Sequence, residues 1–214
     1  MLTGLDWAIV EWIGRVGAAG ARDVQVALRI SRTHAYRRLG KCVEAGVLSW
    51  VRLLHGEPGL YLPTRAGLDW TEHRDLKPSR VSAGTFAHEA VVARIAAAYE
   101  GSGRYRVFGE RALRAQEQAS GGLIASTRVY DHGLKRHHPD LVLRPRDREQ
   151  VIAIEVELTA KAPQRLESIC RAWEHADHVS QVRYYAAPEA LRALERAIDS
   201  TGAAGRIQLQ PLPW

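Results

Sequence analysis

Three carboxylates in two neighbouring apolar segments are the part of this sequence best placed to do chemistry. The segments are HHPDLVL, residues 137–143, and VIAIEVELTAK, residues 151–161. Side chains alternate between the faces of a strand. Ile152, Ile154, Val156 and Leu158 therefore pack on one side, while Val151, Ala153, Glu155, Glu157 and Thr159 share the other. Two carboxylates on an otherwise apolar strand are costly unless something positive neutralises them. A strand opening at Pro139–Asp140 adds a third. Converging carboxylate oxygens suit a hard divalent ion, Mg²⁺ or Mn²⁺, with water completing its shell. The same residues also fit a salt-bridged structural cluster.

His137 and His138 invite a zinc reading. No Cys accompanies them, and consecutive strand residues point to opposite faces, so the pair is expected near phosphate or solvent. Glu89 begins a helix from which a carboxylate could reach the same site, although the helix dipole also favours Glu there.

A second constellation is basic. Residues 29–41 carry Arg29, Arg32, Arg37, Arg38 and Lys41 and no acid. Ser31 is the expected N-cap of a helix that runs to Ala45, with Gly46 as the residue beyond its end. Ala35, Leu39, Cys42 and Val43 fall on one face. Thr33, Arg37, Arg38 and Lys41 fall on the other, with Arg32, Thr33 and His34 at the N-terminal end. Apolar anchoring beneath long cations and small hydroxyls is what a helix in the DNA major groove requires. The expected contacts are Ser31, Arg32, Thr33, His34, Arg37, Arg38 and Lys41, with His55 from the following turn. The competing reading is a solvated charged face.

These residues need elements to position them. Residues 5–16 repeat apolar side chains at helical spacing, and a shorter helix follows over roughly 22–29. After the basic helix, VLSWVRLLH and LYLP read as a hairpin turned by EPG. Residues 71–86 mix Pro, Ser, Gly and charge without periodicity and read as a linker. Beyond them come a helix over 87–99, the strands YRVFG, DLVLRP and VIAIEVEL, a helix over 163–176, the strand QVRYYAA, a helix over 189–199 and the strand RIQLQPL. Residues 115–138 are the least legible stretch. Gly121–Gly122 and Asp131–His132–Gly133 read there as turns, which leaves room for an extra hairpin. Trp173, Tyr184, Tyr185 and Trp214 are expected in the core or at a subunit contact. The whole predicts an α+β chain of two domains: residues 1–70, a linker over 71–86, and residues 87–214 as an α/β unit with a mixed sheet.

Composition bounds the rest. The chain has 214 residues, a formal net charge of +6, and 46% hydrophobic against 25% charged residues, which is ordinary for a folded domain. No apolar run approaches the roughly 18 residues a membrane span needs, so no membrane partner is expected. Asp6 and Glu11 interrupt what a secretion signal would keep apolar. Cys42 and Cys170 are too few for a disulfide framework or a zinc site and suit a reducing compartment, so a cytoplasmic protein is expected.

Three resemblances sharpen this reading. Helix–helix–helix–strand–turn–strand, together with Leu39, Cys42 in place of Leu, Gly46, Leu48, Tyr61, Thr64, Gly67 and Leu68, closely resembles the winged helix-turn-helix of bacterial regulators. Pro139–Asp140 followed by Glu155-x-Glu157 resembles the PD-(D/E)xK nuclease superfamily, whose restriction-endonuclease-like core has the same element order. That resemblance implies Asp140 and Glu155 as the metal ligands, a metal that activates a water for attack on a phosphodiester and neutralises the leaving oxygen, and Glu157 or Lys161 to assist proton transfer or hold the water. Glu157 stands where most members have Lys, although certain restriction endonucleases of that superfamily carry Glu. The whole chain is similar to the replication-relaxation family of plasmids and integrated conjugative elements, through LKPSRVSAGTFAHEAVVAR and IEVELTAKAPQRLESICRAW. The resemblance implies a protein that binds double-stranded DNA, either as a Mg²⁺- or Mn²⁺-dependent endonuclease or as a non-catalytic regulator whose second domain dimerises or clamps DNA. A homodimer fits paired half-sites.

Overall fold

Apolar spacing and capping chemistry account for the first helices. In the computed structural model, which describes residues 1–130 and 133–213, α1 spans Gly4–Val16, α2 Ala21–Leu28 and α3 Arg32–Glu44. Asp131, His132 and Trp214, expected at a turn and at a core or subunit contact, lie outside the described residues. The Asp6 carboxylate accepts from the Thr3 amide at 2.6 Å and closes the start of α1. Asp23 accepts from the Gly20 amide at 2.8 Å and does the same for α2. Ser31 caps α3 through the His34 amide at 3.3 Å. The α2–α3 turn puts Arg29 at φ 53, a left-handed conformation that strains any residue with a Cβ. Its guanidinium is held at 2.7 Å by the carbonyl of Gly101, far along the chain.

A two-stranded antiparallel hairpin follows, β1 (Leu48–Val51) with β2 (Leu60–Pro63), in the register Trp50 opposite Tyr61. Ala19 bridges Tyr61 from the other side, so the segment between α1 and α2 adds a third extended piece. Helix α4 (Arg65–Leu68) is capped by Thr64.

The rest of the chain is a mixed sheet between helices. Helix α5 (Phe86–Gly101) precedes β3 (Tyr105–Gly109), α6 (Glu110–Ser120), the hairpin β4 (Thr127–Tyr130) and β5 (Leu134–His137), then β6 (Leu141–Pro145) and β7 (Ile152–Glu157). Helix α7 (Pro163–Glu174), β8 (Gln181–Ala186), α8 (Pro188–Thr201) and β9 (Ile207–Gln210) complete it. The strand order is β3-β6-β7-β8-β9, antiparallel from β3 to β7 and parallel from β7 to β9. Ile152, Ile154 and Val156 pack under α5, whereas Ala153 faces Leu166, Ile169 and Trp173 of α7. The alternation expected along β7 is thus the alternation observed.

Two features differ from the expectation. Helix α6 occupies ground that reads as polar and irregular, because one of its inward positions is the carboxylate Glu117 rather than an apolar side chain. The expected linker is no free tether. His73 lies 2.8 Å from Glu11, Leu76 is buried, and Arg65 donates to the Leu76 carbonyl at 2.7 Å. One apolar cluster runs from Ile9, Ile13 and Val24 through Val91 and Ile95 to Leu141 and Ile154, so the two halves share a core. At the seam, backbones touch directly. A Cβ on Gly101 would lie 2.4 Å from the Val26 carbonyl oxygen, and one on Gly109 2.5 Å from that of Val16. Arg15 and Glu100 form a buried ion pair across it at 3.0 Å.

Candidate functional site

Helix α3 rests on Ala35, Leu39 and Cys42, all fully buried against the preceding helices. That anchoring leaves Ser31, Arg32, Thr33, Arg37 and Lys41 exposed and His34 half-buried. No ion pair among the described residues engages Arg32, Arg37 or Lys41. The Arg32 guanidinium lies 5.7 Å above the ring centroid of Tyr36, which shares the exposed face. His55 sits exposed in the turn between β1 and β2.

Arg38 corrects the expectation. It is buried, and its Nη2 reaches the fully buried Asp6 carboxylate at 2.5 Å as well as the Thr3 hydroxyl. Spacing explains this, because position 38 lies between Ala35 and Cys42 on the inward stripe of a helix. Burial disfavours the Asp6 carboxylate, but bonds from Thr3 and Arg38 outweigh it and hold the group below its ordinary range. Replacing Arg38 by Met is expected to cost about 3–5 kcal/mol, because it strands a buried charge. Chemical denaturation checks this, and adding Asp6→Leu should restore much of the loss. Full stability in Arg38→Met alone would mean the pair contributes nothing.

The carboxylates expected at a metal are each committed elsewhere. Asp140 Oδ2 accepts from the Val156 amide at 2.7 Å, and Oδ1 lies 3.5 Å from His88 Nε2. Glu155 Oε1 meets His137 Nε2 at 2.7 Å and accepts from the Trp173 indole at 3.1 Å. Glu157 is paired with Lys161. Both glutamates are almost fully buried. Among the described residues no three or more His, Cys, Asp or Glu side chains group so as to hold a metal ion. In this arrangement each expected donor is engaged by a protein partner, so Mg²⁺ or Mn²⁺ would have to draw on the remaining carboxylate oxygens or displace those contacts.

Electrostatics follow this pairing. The hydrogen bond to Asp140 pushes His88 up to about 9, against the effect of burial. Burial lowers His137, but Glu155 beside it outweighs this and leaves it raised. Burial raises Glu157, and Lys161 offsets only part of that. Burial raises Glu89, which lines a cavity of about 100 Å³ with His88, Glu110, Arg111 and Asp140.

The two histidines part company as alternation requires, but they meet carboxylates rather than phosphate or solvent. His137 turns to Glu155, while His138 lies 3.2 Å from Glu117. Glu117 is the structural centre of this region. Its Oε1 accepts from the amides of Ile124, Ala125 and Ser126 at 2.7, 3.0 and 2.9 Å, and its Oε2 from the Ser126 hydroxyl at 2.6 Å.

Residues not anticipated from sequence cluster beside α3. Trp50 and Tyr36 are half exposed and, with Arg22, Arg52 and Arg94, line a cavity of about 830 Å³. The available signal was Gly59, two residues before Tyr61, since a large aromatic leaning along a hairpin needs a small diagonal neighbour. Cys42 and Cys170 are both buried free thiols, pushed up to about 12 by burial. Among the described residues no helix is long and apolar enough to cross a membrane. Family models, curated proteins and solved structures offer no match to this chain.

Proposed function

We propose that this chain binds double-stranded DNA as a winged helix, laying α3 in the major groove with the β1–β2 hairpin as its wing. The observation that carries the reading is the exposed face of α3, where Arg32, Thr33, Arg37 and Lys41 stand free above a fully buried apolar stripe. Guanidinium and ammonium groups without acidic partners meet phosphates, and short hydroxyls reach base edges. The third extended piece at Ala19 supports a winged rather than a plain helix-turn-helix.

The remainder is read as a PD-(D/E)xK-like scaffold that holds DNA or a second copy of the chain rather than cutting. The helix–strand–strand–strand–helix–strand order of the main sheet, interrupted after its first strand by α6 and the β4–β5 hairpin, and the antiparallel-then-parallel pairing support the scaffold. Against cleavage stand Glu155 and Glu157, which are buried and paired with His137 and Lys161. Together with the resemblance of these sequence phrases to the replication-relaxation family, this reading makes the chain a DNA-binding regulator of a plasmid or other mobile element.

Anisotropy of a labelled duplex titrated at increasing salt tests the first half. Affinity should fall steeply as counterions are released. No binding at low salt would overturn the reading. Supercoiled plasmid with Mg²⁺ or Mn²⁺ tests the second half, and retarded but intact plasmid is the expected result. Nicking that disappears in Asp140→Asn would instead make the chain an endonuclease.

A further inference from the structure

The cavity of about 830 Å³ between α2, α3, the β1–β2 hairpin and α5 is larger than a duplex-reading helix needs. Its volume lies in the ~300–1,000 Å³ range of ligand pockets. Its walls are of two kinds. Trp50, half exposed, reaches over Gly59, its diagonal neighbour across the hairpin, which has no side chain: a Cβ there would fall 2.3 Å from the indole nitrogen. Tyr36, also half exposed, offers a second ring, with the Arg32 guanidinium above it. Arg22, Arg52 and Arg94 supply three further cations. Of the two acids in the lining, Asp23 is engaged by the Gly20 amide, which leaves Glu57 at the exposed rim.

Half-exposed aromatic faces among guanidiniums suit a ligand that is planar and aromatic at one end and anionic at the other. Arg32 and Tyr36 belong both to this cavity and to the exposed face of α3. A strand lying along α3 therefore leads into it. We propose that the cavity receives an unpaired nucleotide of the bound DNA, its base stacked on Trp50 or Tyr36 and its phosphate held by the arginines. The inference rests on the duplex-binding reading and adds to it a preference for DNA with an unpaired base beside the site.

Anisotropy with two labelled duplexes, one fully paired and one carrying a short thymidine bulge, tests it. The bulged duplex should bind about tenfold tighter, the range a single base–aromatic stack provides. Trp50→Ala should remove that preference, so that the variant binds the bulged and the paired duplex equally. Gly59→Ala, which keeps the indole but displaces it, should do the same. Circular dichroism establishes that both variants fold. Tight but equal binding of both duplexes by the wild type overturns this inference and leaves the duplex-binding reading intact. Failure to bind either overturns both. Deoxythymidine monophosphate serves as competitor. If it binds in a Trp50-dependent way while the duplexes are not distinguished, the occupant is a free nucleotide and the assignment to a DNA strand falls.

Discussion

Replacing Arg32, Arg37 and Lys41 together by alanine is expected to weaken duplex binding by about 100- to 1,000-fold near 0.1 M salt, with a salt slope shallower by about 3. Each of the three is exposed, and none is engaged in an ion pair among the described residues, so their removal should leave the fold untouched. The anisotropy titration and a melting curve on the same preparation separate the two effects. Unchanged affinity with an unchanged melting temperature would remove α3 from the interface. Arg38 serves as the internal contrast, since the same helix carries it inward to Asp6 and its loss should register in stability and not in the salt slope. Ser31 belongs between these cases. It caps α3, so Ser31→Ala should cost about 1 kcal/mol of stability.

Glu117→Ala is expected to destabilise the protein by about 3–5 kcal/mol at neutral pH, lowering the melting temperature by roughly 10 °C. Three backbone amides and a hydroxyl would lose their acceptor at a site with no water access. The pH dependence carries the same signature. Burial alone would raise this carboxyl, but the Ser126 hydroxyl and the amides of Ser126, Ala125 and Ile124 outweigh it and hold it at about 2, against 4.5 when unfolded. A depressed carboxyl contributes stability that is complete above the unfolded value and is lost as pH falls towards the folded one. Wild-type stability should therefore drop between about pH 4.5 and 2 more steeply than that of Glu117→Ala. Parallel pH curves for the two proteins would show that the carboxylate is not the anchor.

How much of this was legible in the sequence depended on whether local pattern and tertiary contact agreed. They agreed along α1, α3 and β7, where apolar spacing alone selects the buried face. Ser31 and Gly46 marked their positions at the ends of α3 through capping chemistry and a positive φ. They disagreed wherever a charged side chain does the work of an apolar one. Arg38 sits on the inward stripe but looks like part of a basic face, because its partner Asp6 is far off in sequence. Glu117 breaks the apolar rhythm of α6 and so hid that helix. The carboxylates of β7 illustrate a further limit. Their facing could be read from alternation, and Lys161 is only four residues beyond Glu157, but the partners His137 and Trp173 depend on how the β4–β5 hairpin and α7 close over the sheet.

The glycine contacts at Gly101 and Gly109 bear on how such a protein diversifies. Where main chain lies on main chain, neither half can be re-aimed without a collision, and residues 1–70 cannot be lifted out as a transferable cassette without baring the apolar seam along Val91 and Ile95. Grafting onto another partner is closed to it as an evolutionary route. On the duplex-binding reading, a change of target would come from exchanging the outward side chains of α3 on a mount of constant geometry.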